Sequence, residues 1–181
     1  MSTDETTSAS TRTAEWAELR ERYLVPSTER PASSARGLHH MALISSDVAA
    51  TIDFYQGILG FPLTELFENR DYVDSTHFFF DIGNGNLLAF FDFPGLDLGE
   101  HAEVLGGLHH IAISMAPEAH AAARASLAEH GIPLDYEHLT SIYFRGPDGE
   151  RVELISDPLG YMYGEDVNLS LIHISEPTRP Y

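Results

Sequence analysis

Apolar residues fall along most of this chain in short runs, separated by turns rich in Gly, Pro, Asn and Asp. Runs of that length, whose side chains alternate between two faces, predict β-strands. Two stretches depart from this. From Val48 to about Leu59, Ile52, Tyr55 and Leu59 share one stripe behind a Ser46–Asp47 cap and before Gly60, which predicts a helix. Glu118–His130 is Ala-rich, led by Pro117 and stopped by Gly131, and predicts a second. Strands are expected from Leu38 and over Pro62–Glu68, Thr76–Asp81 and Leu87–Phe93, then over Leu108–Met115, Pro133–Glu137, Ser141–Arg145 and Arg151–Ser156. Gly83-Asn84-Gly85-Asn86 and Pro147-Asp148-Gly149 are the turns between neighbours.

The order strand, helix, three strands therefore occurs twice. Its two beginnings are nearly the same text: Gly37-Leu38-His39-His40-Met41-Ala42-Leu43-Ile44-Ser45 returns 70 residues on as Gly107-Leu108-His109-His110-Ile111-Ala112-Ile113-Ser114. Such self-similarity predicts a duplicated module. Outside it, residues 1–12 predict a disordered lead. Thr13–Tyr23 predicts a short helix with Trp16, Leu19 and Tyr23 on one side, a docking or dimer-contact arm ended by Pro26 and Pro31. Residues 159–181 form a tail, of which Ser170–Tyr181 looks like translated sequencing-adaptor read-through, so His173 is set aside with it.

Composition narrows the chemistry. A formal charge of −18 without any basic run argues against nucleic acid or an anionic membrane as partner. No apolar stretch is long enough to span a bilayer and the start is unlike a signal peptide, so a cytoplasmic location is expected. With no cysteine, any metal must be held by imidazole and carboxylate. If the two modules pair symmetrically, one His from each pair can converge on one point; the histidines fit structural strand-start positions as well. Glu153, flanked by Val152 and Leu154, fits either the wet face of a strand or a third ligand. Two imidazoles and one carboxylate make a facial triad, a set that suits iron(II) with open positions.

The twice-repeated order, the first-strand histidines and the Glu after a Pro-Asp-Gly turn resemble the vicinal oxygen chelate superfamily over Gly37–Pro158. That group includes glyoxalase I, extradiol dioxygenases, fosfomycin-resistance enzymes and bleomycin-binding proteins. The resemblance implies an α+β fold of two paired βαβββ modules (38–93 and 108–158) forming a curved mixed sheet around a metal-binding cavity. It assigns His40, His110 and Glu153 as ligands of a divalent metal, Fe(II) first and Mn, Zn, Ni or Co as alternatives. His39 and His109 are then expected to face the other way, as packing or supporting groups. Glyoxalase I has a further Glu on the last strand of its first module. The matching position here is read as Phe90, with Asp92 as a shifted substitute.

Tyr143, ten residues before Glu153 in a Tyr-Phe-x-x-Pro-x-Gly frame, matches a Tyr of extradiol enzymes that hydrogen-bonds substrate; a core aromatic is the other reading. His138, ahead of His77 and His101, is the candidate acid or base. The expected function is ring-cleavage dioxygenation of an aromatic diol or other vicinal-oxygen compound by a homodimer. A glyoxalase-like lyase or isomerase and a small-molecule-binding resistance protein are the alternatives. The phenylalanines of Phe78-Phe79-Phe80 and Phe90-Phe91-Asp92-Phe93 are expected to divide between core and an aromatic-lined cavity.

Overall fold

Alternation along the strands decides the architecture. A computed structural model describes residues 5–26, 28–138 and 140–156, with side chains from residue 12 onward. The first module contains β1 (His40–Ile44), β2 (Leu63–Glu68), β3 (Thr76–Asp81) and β4 (Leu87–Phe91), in the sheet order β1-β4-β3-β2. The second contains β5 (Ile111–Ser114), β6 (Leu134–His138), β7 (Ser141–Arg145) and β8 (Arg151–Ile155), ordered β5-β8-β7-β6. In each sheet the first and last strands are parallel and the other pairs antiparallel. Two βαβββ modules of an α+β fold result, as the repeat implied, with two separate four-stranded sheets in the chain.

Each first strand leads into a helix. Asp47 caps α2 (Val48–Ile52) by accepting from the Ala50 amide at 3.0 Å. The helix then widens into a π-helical turn, Asp53–Ile58, where the Leu59 amide bonds back to the Phe54 carbonyl. That widening turns the consecutive residues Phe54 and Tyr55 both into the interior. In the second module α3 runs Pro117–Glu129 and buries Ala123 and Leu127.

One core joins the modules. Phe78, Phe80, Leu88 and Phe90 line the inner face of the first sheet, and Ile111, Ile113, Ile142, Phe144, Val152 and Leu154 that of the second. Phe54, Tyr55 and Leu127 from the helical segments belong to the same cluster, and the Phe54 and Phe144 rings lie 6.1 Å apart. Polar links accompany this packing: Ser126 Oγ donates to the Ile58 carbonyl at 2.8 Å, and the Ser46 amide donates to Asp148 at 3.2 Å. The alternate residues of every strand therefore point away from the shared core, leaving each sheet a second, open face.

Residues Met1–Arg36 form a separate unit. Its helix α1 spans Glu5–Tyr23, so helix replaces the disordered lead expected up to residue 12; Met1–Asp4 lie outside the described residues. Trp16, Leu19 and Tyr23 are all exposed. Among the described residues no helix is long and apolar enough to cross a membrane. The tail expected over residues 159–181 also lies outside the described residues.

Candidate metal centre

The open face of the second sheet carries most of the predicted chemistry. Glu153 stands on β8, opposite Ala112 of β5 on one side and Tyr143 of β7 on the other. It is only 6% exposed although it lies on the face away from the core, because its neighbours cover it. His110, immediately before β5, brings Nε2 to 3.1 Å from a Glu153 carboxylate oxygen. Tyr143 stands beside the same carboxylate across the β7–β8 pairing, and burial followed by that carboxylate raises its pKa to about 12, so it stays a phenol. The His110 and Tyr143 rings meet edge to face at 5.8 Å.

The separation of His110 and Glu153 suits a cation. Two ligand atoms each about 2.1 Å from an octahedral metal and at right angles to one another stand about 3.0 Å apart. The other nitrogen of His110 is already engaged: its Nδ1 lies 2.7 Å from Nδ1 of His109. The first module repeats the device, with Nδ1 of His39 at 2.8 Å from Nδ1 of His40. In each pair one Nδ1 must carry the hydrogen, which ties the two rings together, and Nε2 of His40 or His110 is open to a cation only when that hydrogen sits on the same ring's Nδ1. His39 and His109 thus do not turn away as strict alternation implied. They precede the regular strands, are exposed, and bond their neighbours instead. His109 also meets Arg151 at 3.2 Å, and Arg151 pairs with Glu103 at 3.0 Å.

His40 stands on the open face of the first sheet, beside Phe79, with ring centroids 6.0 Å apart. It does not join His110 and Glu153 within one chain: among the described residues no cluster of three or more His, Asp or Glu side chains is placed to hold a metal. Packing explains this. The inner faces of both sheets share a core, so His40 and the His110–Glu153 pair occupy two open faces turned away from it.

Register corrects the expected counterpart of Glu153 in the first module. Ala42 pairs with Ala89 and Phe79 with Ala89, as Ala112 and Tyr143 pair with Glu153. The counterpart is therefore Ala89. Phe90, one residue along, points into the core at 1% exposure. Asp92 is no shifted ligand either, since its carboxylate accepts from the Thr76 amide.

His138 lies on the outer strand β6, where its ring stacks on Tyr136 with centroids 6.1 Å apart. Tyr136 in turn lies 5.9 Å from Tyr143, so His138 is one aromatic ring removed from it. His77 belongs to the open face of the first sheet, sandwiched against Phe91 at 3.7 Å and Phe79 at 4.2 Å. Burial lowers its pKa, with His40 adding to the effect. His77 Nε2 and His101 Nε2 are both buried without a hydrogen-bond partner among the described residues.

A polar pair that sequence reasoning missed ties the modules together. Tyr55 of the π-helical turn donates to Glu150 at 2.6 Å, and both are buried. Burial, then the Glu150 charge, raises the Tyr55 pKa; burial raises that of Glu150 against the opposing Tyr55 hydrogen bond. Gly146 is the sequence trace of this arrangement. A Cβ there would fall 2.0 Å from the Glu150 carboxylate, so only glycine leaves it room.

The sequence pattern of the Glyoxalase/Bleomycin resistance protein/Dioxygenase superfamily matches residues 37–154, more than half of the chain. Among solved structures, a trypanothione-dependent glyoxalase I of Leishmania major is 24% identical, covers 67% of this chain and 87% of its own, and superposes with a TM-score of 0.57. The fosfomycin resistance protein FosX of Listeria monocytogenes is 22% identical, with 72% and 98% covered and a TM-score of 0.53. A glyoxylase/bleomycin resistance protein/dioxygenase domain from Frankia sp. EAN1pec is 18% identical, with 70% and 96% covered and a TM-score of 0.60. Likeness at these identities is likeness of fold. No curated protein sequence matches the chain significantly.

Proposed function

Because the chain belongs to the glyoxalase/bleomycin resistance protein/dioxygenase superfamily, we propose that it is a mononuclear metal-dependent enzyme acting on a small substrate through vicinal oxygens, and more narrowly an extradiol-type ring-cleavage dioxygenase. Members of the superfamily use divalent metals, among them manganese, zinc, nickel and iron. The ligands here are His40, His110 and Glu153, with iron(II) first among the candidate ions. One observation carries the narrower reading: Ala89 stands where a carboxylate would complete a fourth protein ligand. Held by three protein ligands, such a cation would keep positions free for a substrate that chelates through two oxygens and for a further small molecule.

When bound, the cation supplies Lewis acidity and those open positions. The chain supplies the rest. Tyr143 stands beside the Glu153 carboxylate on the neighbouring strand, and His39 and His109 hold the imidazoles of His40 and His110 in place through their paired Nδ1 atoms. Tyr143, protonated at neutral pH, can redirect its hydrogen to a substrate oxygen as charge develops there. His138 stacks on Tyr136, which stands between it and Tyr143, so its part as acid or base is the less direct of the two.

Since the half-sites lie on separate faces of one chain, a complete site takes His40 from one copy and His110 with Glu153 from a second, in a two-fold dimer with two such sites. Iron-reconstituted protein is expected to consume oxygen with catechols and give a yellow ring-opened product. His40→Ala and His110→Ala are each inactive. After dissociation and random reassociation, half of the dimers pair unlike variants and hold one intact site of two, restoring about one quarter of wild-type activity. No recovery on mixing rejects the shared site. Turnover of the loaded protein without oxygen, and none of a catechol panel with it, replaces the dioxygenase reading by the isomerase one.

A further inference from the structure

A row of polar side chains runs from Glu103 to Glu153 behind the second half-site. Arg151 brings one guanidinium nitrogen to 3.0 Å from Glu103 and another to 3.2 Å from Nε2 of His109. Nδ1 of His109 lies 2.7 Å from Nδ1 of His110, and Nε2 of His110 lies 3.1 Å from Glu153. Hydrogen positions along such a row are not independent, because a ring nitrogen either carries a hydrogen or accepts one.

A guanidinium has only donors, so Nε2 of His109 accepts from Arg151. His109 is then neutral, and its single hydrogen is on Nδ1 and is donated to Nδ1 of His110. That leaves the hydrogen of His110 on Nε2, where the Glu153 carboxylate accepts it. Every contact of the row is satisfied in this closed form, but the nitrogen that would face a cation is occupied. In the opposite, open form each hydrogen has changed ring nitrogen, from Nδ1 to Nε2 on His109 and from Nε2 to Nδ1 on His110, so none is gained or lost. Nε2 of His109 and Arg151 then meet donor to donor. The displaced hydrogen needs Glu103, whose Oε2 stands 3.9 Å away and must close by about 1 Å to accept it.

The first module has no such row. Met41 pairs with Leu88 as Ile111 pairs with Val152, so Leu87 stands where the second module has Arg151. Among the described residues the His39 side chain hydrogen-bonds only that of His40, and nothing there opposes the open form.

We propose that Arg151, clamped by Glu103, is a positioning residue that holds His110 in the closed form, so that the second half-site takes its cation only by giving up the bond between Arg151 and His109. The inference rests on the metal reading above. It makes the two half-sites unequal: His40 presents Nε2 without hindrance, whereas His110 does so against a resident hydrogen bond.

Metal-free full-length protein tests the row directly. Long-range proton–nitrogen correlation of the imidazoles should find the hydrogen of His109 on Nδ1 and that of His110 on Nε2. Arg151→Leu, which copies the first module, should shift both rings towards the open form. Ni(II) titrated into the two proteins should bind the variant about tenfold or more tightly, the size of effect that a supporting hydrogen bond exerts on a ligand imidazole. Arg145→Leu removes the same charge from the position opposite Arg151 on β7 and should change the affinity by less. Open-form rings in wild type, or rings unchanged in Arg151→Leu, overturn the proposal. So does an Arg151→Leu affinity equal to that of wild type, or one matched by Arg145→Leu, since charge alone would then explain it. If neither wild type nor Arg151→Leu takes up Ni(II), the metal reading fails separately, and the ring hydrogens of the two proteins decide the role of Arg151.

Discussion

On their inner faces the two modules are nearly interchangeable. Met41 and Leu43 answer to Ile111 and Ile113, Phe78 and Phe80 to Ile142 and Phe144, and Leu88 and Phe90 to Val152 and Leu154, all in the same register. On their open faces only the histidines and the alanines Ala42 and Ala112 correspond. Where the second module has Tyr143 and Glu153, the first has Phe79 and Ala89. Duplication thus kept the residues that pack and let those of the open faces diverge, so one sheet carries Tyr143 and Glu153 where the other carries Phe79 and Ala89. Symmetric folding with asymmetric chemistry is the lesson, and each half can be pushed towards the other.

The largest effect is expected from Glu153→Ala, which gives the second module the residue of the first. It removes the only carboxylate of the ligand set, and metal content by elemental analysis should fall to near zero with all metal-dependent turnover. Full metal occupancy in this variant would detach Glu153 from the site. Tyr143→Phe, which copies Phe79, is milder. The metal should remain and kcat should fall about 10²- to 10³-fold, the usual cost of one hydrogen bond that strengthens as charge develops. Burial and Glu153 hold the Tyr143 phenol up to about 12 in the metal-free chain, so it is protonated at neutral pH. An unchanged kcat in Tyr143→Phe makes Tyr143 a packing residue like its counterpart.

The comparison also shows what could be read from residues alone. Strand periodicity and the repeated Gly-Leu-His-His text fixed the order of the elements, with strand ends within two residues except at the start of β5, where three residues separate Leu108 from Ile111, since packing acts on local pattern. Thr76–Asp81 and Ser141–Arg145 fall where expected. The counterpart of Glu153 was misplaced at Phe90 because a slip of one residue exchanges the faces of a strand, and only pairing partners reveal it. His39 and His109 were misdirected for a related reason: alternation holds within a strand, not just before one. Glu150 follows a Pro-Asp-Gly turn and reads as a solvent residue. What buries it is Tyr55, 95 residues away in sequence, and only Gly146 hinted at the close approach. Whether His40 meets His110 within a chain or between copies depends on which faces the shared core consumes, a property of tertiary packing that no local pattern carries.

The smallest effect concerns that buried pair, where the inner faces differ most. Burial raises the Glu150 pKa above its ordinary value, while the Tyr55 hydrogen bond partly opposes the shift. A carboxyl whose folded pKa exceeds its unfolded one contributes stability that is complete below the unfolded pKa and is lost as pH rises through the folded pKa. At neutral pH the chain therefore bears the cost of a charge held away from water, offset by the Tyr55 hydroxyl and the Asp148 amide. Glu150→Gln keeps the size and one acceptor but cannot ionise. Denaturant unfolding from about pH 4 to pH 8 should show the variant gaining on wild type as pH rises, by about 1.4 kcal/mol for each unit of the shift. Any lost hydrogen bond adds only a constant offset. A difference that stays level across the range would mean that Glu150 ionises in the fold as it does in the open chain, and that the two modules are joined there by an ordinary charged hydrogen bond.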